Sequence, residues 1–265
     1  MERWGRRGVV WTLSGALLAA AAAGCNHDSG DGTTTSSLFK ASNARVSVAL
    51  LTNDLYVDYS VGDNGSEGSN MEVTLPSLGF TTQSFTDVSA TGLSAALRGK
   101  DALVIPELEN GDLDADLTPG AAGVIVDFVD AGGTLLLFGS STDEAIALLN
   151  NRFGFALAEG SSSDPYPIDA AGAAGTPFQG GPATLPYNDD TTSFDATTLP
   201  AGTKVVYRDA SAGDAIVALI PYGSGWIVFL GYDWYDGAPV GSQDGGWNDV
   251  LSRALNVAFD RPGPL

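Results

Sequence analysis

Sulfur and imidazole are almost absent from this sequence. Cys25 is its one cysteine and His27 its one histidine, so an internal disulfide and a multi-histidine metal site are both excluded. Basic residues are scarce as well, with 12 Lys and Arg against 32 Asp and Glu and a formal charge of −20. That balance excludes nucleic acid as a partner, because phosphate binding needs the clustered Lys and Arg that are missing here. Neither a P-loop nor a GxGxxG opening occurs, so the usual signals of nucleotide binding are lacking. What remains is an acidic surface, suited to solubility, cations or basic partners. Hydrophobic residues make up 44% of the 265, aromatics 9%, enough for a true core rather than wholesale disorder.

The two rare residues sit at the start. Arg3, Arg6 and Arg7 precede an apolar stretch over 9–23, which ends in Ala22-Ala23-Gly24-Cys25. About 15 apolar residues are short for a membrane span and fit the core of a signal peptide. The small residues before Cys25 resemble a bacterial lipobox. The resemblance implies that residues 1–24 are a lipoprotein signal peptide and that Cys25 carries a diacylglyceryl anchor with acyl chains such as palmitate. An ordinary secretory signal cleaved near Ala23 is the alternative. Cleavage before Cys25 would leave 31 acids and 9 bases, a charge of −22. Residues 25–44 are rich in Asp, Ser, Gly and Thr and read as a lipidated flexible tether, spanning about 25 Å. His27 falls in it, two residues from the lipid, a poor position for catalysis.

The folded part is expected over 45–260, with a tail at 261–265. VSVALL (46–51), ALVIP (102–106) and TLLLF (134–138) are nearly continuous apolar runs, the pattern of strands buried on both faces. Residues 80–85 read as a further strand. Between them lie expected helices, one capped by Ser69-Asn70 and running to Leu78, one around 93–97, one starting at Thr118-Pro119 and stopping at Gly132-Gly133, and one over 143–150. GSEG at 65–68 reads as a flexible loop. Residues 159–202 form an irregular insertion with a few short strands. KVVYR (204–208), AIVALIP (215–221) and WIVFLGY (226–232) read as strands, with Tyr222-Gly223-Ser224-Gly225 as a hairpin turn. A helix over 245–259 closes the domain, with Trp247, Val250, Leu251, Leu255 and Phe259 near helical spacing. Alternating strands and helices imply an α/β three-layer sandwich, with a mainly parallel sheet of flavodoxin-like type and a C-terminal β-hairpin.

The succession VSVALLTND, KDALVIPE, DAGGTLLLFGSS and PYGSGWIVFLGYDW, followed by a closing helix, resembles the class I glutamine amidotransferase-like fold. Catalytic members of that family carry a cysteine on the turn after a central strand, with histidine and glutamate further along. Here the corresponding turn is Gly139-Ser140-Ser141, and neither Cys nor His follows. The resemblance therefore implies the fold without its Cys-His-Glu triad.

In an open parallel sheet the ligand crevice lies beyond the carboxyl ends of the strands. Those ends carry Asp54, Glu107, Glu109, Ser140, Ser141, Asp233, Trp234 and Asp236, the candidate ligand or metal residues. Asp54, Glu107 and Asp233 are expected to face one another, and calcium is the cation such carboxylates would take. No other cofactor is indicated. Asp112, Asp114 and Asp116 begin like a calcium loop, but Leu117 stands where glycine is required, so they read as a solvated approach to a helix. Ser140 and Ser141 lack an activating histidine and read as turn residues that cap the next helix. Trp226 and Trp247 are assigned to the core, and one of Trp234 and Tyr235 to the surface. The chain thus reads as an extracytoplasmic lipoprotein of the cell envelope, a binding or scaffolding module with a protein or carbohydrate partner. A carboxylate- or metal-dependent hydrolase acting on envelope carbohydrate is the alternative.

Overall fold

A computed structural model describes residues 43–260, apart from 64, 141, 142, 164 and 189. Five parallel strands form most of one seven-stranded sheet: β1 (Ser47–Leu51), β2 (Thr81–Phe85), β3 (Ala102–Ile105), β4 (Thr134–Phe138) and β9 (Gly225–Leu230). Two more strands, β7 (Lys204–Arg208) and β8 (Ala215–Tyr222), extend the sheet antiparallel beyond β9, giving the order β2-β1-β3-β4-β9-β8-β7. A short two-stranded sheet of β5 (Tyr166–Pro167) and β6 (Thr184–Leu185) lies within the insertion.

Continuous apolar runs become strands here because both sheet faces are covered. In β1, Val48 and Leu50 join one buried cluster, with Met71 and Leu75 of α1 (Glu67–Leu78) and Trp247, Val250 and Leu251 of α7 (Trp247–Asn256). Ala49 and Leu51 join the other, with Leu93 of α2 (Ala90–Ala96), Leu113 of α3 (Leu113–Asp116), Ile125 and Val129 of α4 (Pro119–Asp130) and Leu148 of α5 (Glu144–Phe153). A fully extended run thus serves two cores at once. Helix α4 starts as its local chemistry dictates, with the Thr118 hydroxyl accepting from the Ala121 N–H at 3.2 Å and Pro119 at the first position. The hairpin turn pairs Tyr222 with Gly225, as its sequence indicates.

Several sequence expectations need correction. Helix α1 begins at Glu67, two residues before Ser69-Asn70, so GSEG is a helix start rather than a loop. The Asp112–Asp116 region is not simply solvated: Asp112 caps α3, and Asp114 is buried in an ion pair with Arg152 of α5. Ser140 does not cap α5, whose N-cap is Asp143; its hydroxyl donates to the Leu108 carbonyl instead. Phe259 is exposed, with the Arg45 guanidinium 5.0 Å from its ring centre. Among the described residues no helix is long and apolar enough to cross a membrane. Residues 1–42, with the leader, Cys25 and His27, lie outside the described residues, as does Ser141.

The strand order reverses at one place that matters for function. From β1 the chain moves outward to β2 and then returns to β3 on the other side of β1, so helices from the two directions part above the β1–β3 carboxyl ends. Such a parting leaves a crevice.

Candidate functional site

Two loops meet at that crevice. The segment after β1 and the segment after β3 are joined by an antiparallel bridge between Val57 and Leu108. Asn110 reinforces it, with its side-chain amide donating to the carbonyls of Asp54 and Val57 at 3.1 and 3.2 Å. The first loop then folds back onto α1. The Asp58 carbonyl accepts from the Ser66 hydroxyl and from the Gly68 N–H, both at 2.9 Å. This turn brings Glu67, in the first turn of α1, to the same place as Asp58 and Glu109.

Carboxylate oxygens of Asp58, Glu67 and Glu109 all lie within 4.8 Å of one another. Their exposure is graded: Glu109 faces solvent, Asp58 is half-buried, and Glu67 is 2% exposed. Among the described residues Glu67 Oε2 has no hydrogen-bond partner. Burial pushes the Glu67 carboxyl up to about 8, against a hydrogen bond from its own backbone N–H, and the charges of Glu109, Asp233 and Asp58 add to the rise. Desolvation also raises the Glu109 carboxyl, helped by Asp233, Asp58 and Asp190. The Asp58 carboxyl is raised by burial and then by Asp63 and Asp54. Every charged neighbour acting on Glu67 is acidic.

A cleft of about 370 Å³ opens beside this triad, lined by Tyr187, Asn188, Asp190, Asp233, Tyr235 and Gln243. Asp233, 7% exposed, is the most buried of these lining residues. The Asp233 Oδ1 accepts from the Tyr235 N–H at 2.7 Å, and the Asn188 side chain donates to the Asp233 carbonyl at 2.6 Å. Burial raises the Asp233 carboxyl, and Asp190 raises it further. The insertion supplies Tyr187, Asn188 and Asp190, and it is pinned over the sheet at Gly231, where the Thr192 N–H donates to the Gly231 carbonyl at 2.8 Å. A Cβ at Gly231 would stand 1.9 Å from the Thr192 carbonyl oxygen, so only glycine lets the insertion pass so close. Between the lining residues Asp233 and Tyr235, the Trp234 carbonyl accepts from the Asn70 side chain of α1 at 2.6 Å. Tyr235 rests on Gly65, where an added Cβ would meet its ring at 2.9 Å.

The strand-end residues chosen from sequence divide three ways. Glu109 and Asp233 do enter one electrostatic neighbourhood, Glu109 in the triad and Asp233 in the cleft. Asp54 is exposed, and Glu107 is buried; neither belongs with Asp233 to a close carboxylate cluster, because among the described residues the sole group of three is Asp58, Glu67 and Glu109. Trp234 is no rim residue: it is buried against Phe138 and Tyr232, with ring centres 5.7 and 5.1 Å away, and Tyr235 is the exposed member of the pair. Asp236 holds a turn, accepting from the Ser242 hydroxyl at 2.8 Å. Ser140 is 5% exposed. Sequence reasoning missed Asp58, Glu67, Asp190 and Tyr187. A signal for Glu67 existed, since Ser66-Glu67 precedes the helical spacing of Met71, Leu75 and Leu78 by one turn.

No protein-family model matches the sequence, and no curated protein matches it. Solved structures are similar in fold. A ThuA-like protein from Bacteroides uniformis is 13% identical, covers 80% of this chain and 91% of its own, and superposes with a TM-score of 0.54. A cytoplasmic protein from Salmonella typhimurium is 12% identical over 82% of this chain and 98% of its own, with a TM-score of 0.52. A glutamine amidotransferase from Thermotoga maritima is 11% identical over 71% and 75%, with a TM-score of 0.43. At these identities the likeness is one of fold, and the ThuA-like fold is itself of the class I amidotransferase type.

Proposed function

We propose that this chain is a lipid-anchored, extracytoplasmic binding module that uses an amidotransferase-like fold without its catalytic triad, and that its cleft takes a polyhydroxylated ligand of the carbohydrate type. The observation that carries the reading is the lining of the cleft. Tyr187 and Tyr235 offer partly exposed rings, Asn188 and Gln243 offer amides, and Asp190 and Asp233 offer acceptors. Aromatic faces flanking hydrogen-bonding groups suit a sugar ring, which is apolar on its faces and polar at its edge. Residues 43–260 contain neither Cys nor His, and the Ser140 hydroxyl is already engaged with the Leu108 carbonyl. A binding role therefore suits the site better than amide transfer. The leader and Cys25 supply the anchor and the location in this reading.

The test is calorimetric titration of the full chain, in detergent micelles, with oligosaccharides of bacterial envelopes. Saturable binding is expected, weakened about three- to tenfold by Tyr187→Ala or Tyr235→Ala. Binding that neither substitution alters would move the ligand elsewhere.

Glu67 favours a second reading. A carboxyl that keeps its proton near neutrality beside other carboxylates has the character of a general acid, as a carbohydrate hydrolase requires. Release of chromophore from nitrophenyl glycosides, lost in Glu67→Gln, would favour the hydrolase. The deep burial of Glu67 favours the binding module.

A further inference from the structure

We propose that Asp58, Glu67 and Glu109 form a binding site for one hard divalent cation of the calcium type at the mouth of the β1–β3 crevice. The inference rests on reading this rim as the chain's binding face, and it adds a cation beside the cleft.

Spacing is the first support. Calcium–oxygen bonds run about 2.3–2.6 Å, so two oxygens on opposite sides of one calcium stand about 4.8 Å apart. The three carboxylates already fall within that limit of one another. The second support is independent of the clustering. Glu67 is 2% exposed, and its Oε2 has no hydrogen-bond partner among the described residues. Leaving a carboxyl oxygen buried and unsatisfied is costly, and a cation that displaces the carboxyl proton would satisfy it. The loop is also held in place without a ion: Ser66 and Gly68 fix the Asp58 carbonyl, and the Val57–Leu108 bridge fixes the approach to Glu109. Little ordering remains to be done on binding.

Ligand chemistry selects the ion. Three carboxylates with no imidazole or thiolate in the folded part suit a hard cation rather than zinc or copper. Magnesium demands near-ideal octahedral geometry and gives up its water reluctantly, which favours calcium at a site that offers three protein carboxyls. The three ion pairs of the described residues, Arg152–Asp114, Arg208–Asp169 and Arg253–Asp249, involve other acids, so they leave this cluster's charge uncompensated. Solvent-facing Glu109 gives the entry path, while water completes the coordination shell.

The experiment titrates the chelator-treated full chain with calcium chloride by calorimetry and follows the melting temperature in parallel. One equivalent of calcium should bind, and the melting temperature should climb with calcium concentration as mass action requires. Magnesium at equal concentration should act more weakly. Glu67→Gln and Glu109→Gln should each weaken calcium about tenfold or more, whereas Asp236→Asn should leave it unchanged. Glu109 is exposed, so its variant keeps the test sound if the buried substitution fails to fold. No saturable heat overturns the proposal, as does binding unaltered in Glu109→Gln or a salt-sensitive uptake of many ions. Saccharide titration in chelator separates the two readings: calcium binding without saccharide binding sinks the cleft ligand alone, and the reverse sinks the cation alone.

Discussion

The backbone N–H of Gly68 donates to the carbonyl oxygen of Asp58 at 2.9 Å, and a Cβ on Gly68 would stand 2.7 Å from that oxygen. This contact sets the distance between the loop after β1 and the first turn of α1, and with it the position of Glu67 relative to Asp58. Because the obstructing atom belongs to the backbone, it cannot swing aside like a flexible side chain.

Gly68→Ala should therefore push the loop off the helix, lowering stability by about 1–3 kcal/mol and abolishing the calcium-induced rise in melting temperature. Gly123→Ala is the matched control. Gly123 lies within α4, and its Cβ would meet nothing within 4 Å, so that substitution should raise stability by about 0.5–1 kcal/mol. Urea unfolding of the two variants checks both signs.

Much of the fold was legible because its signals are local. Runs such as ALVI and LLLF are apolar at every position, which only a doubly covered strand can bury, and Thr118-Pro119 carries its own cap. The site was legible only in part, since its construction is long-range. Glu109 and Asp233 follow strands and were found by that rule. Glu67 was lost because Ser66 makes no side-chain cap to its own helix; its hydroxyl is spent on the Asp58 carbonyl, so the helix start is fixed by a loop eight residues earlier. Asp190 reaches the cleft through the pairing of Thr192 with Gly231, 39 positions apart in the numbering. Trp234 misled for a related reason: a polar strand end suggests a rim, yet Phe138 and Tyr232 draw its ring inward.

Anchoring has a direct check. If Cys25 carries the lipid, Cys25→Ser should shift the protein from the membrane pellet to the soluble fraction in detergent-free fractionation, since one substitution removes the acyl chains. Unchanged sedimentation would locate the attachment elsewhere.

Ser140, on the turn after β4 where the sequence resemblance would put an amidotransferase nucleophile, is buried, and its hydroxyl donates to the Leu108 carbonyl. Purified protein should accordingly release no ammonia from glutamine above a heat-denatured control. Ammonia release that disappeared in Ser140→Ala would show that this serine reaches substrate after all.

The pH dependence of stability offers the sharpest test of how Glu67 is housed. Its carboxyl titrates at about 8 in the fold, against an ordinary value of 4.5. Between those two values the folded chain keeps a proton that the unfolded chain has released, so folding is favoured by low pH. The stabilisation is complete below pH 4.5 and is lost as pH rises through 8, at up to about 1.4 kcal/mol per pH unit. Glu109, Asp58 and Asp233 are raised too and add slopes of the same sign. Carboxyls held low, such as Asp169 beside Arg208, act in the opposite sense but only in the acid range, where protonation removes their support. In chelator, urea midpoints should therefore fall from pH 5 to pH 9, and Glu67→Gln, which cannot ionise, should flatten the curve and be the more stable protein at pH 9. Saturating calcium should flatten the wild-type curve as well, because a bound cation stabilises the ionised carboxylates that low pH would otherwise neutralise. A wild-type profile that is flat or rises with pH in chelator would mean that Glu67 is solvated rather than sealed beneath Asp58 and Glu109.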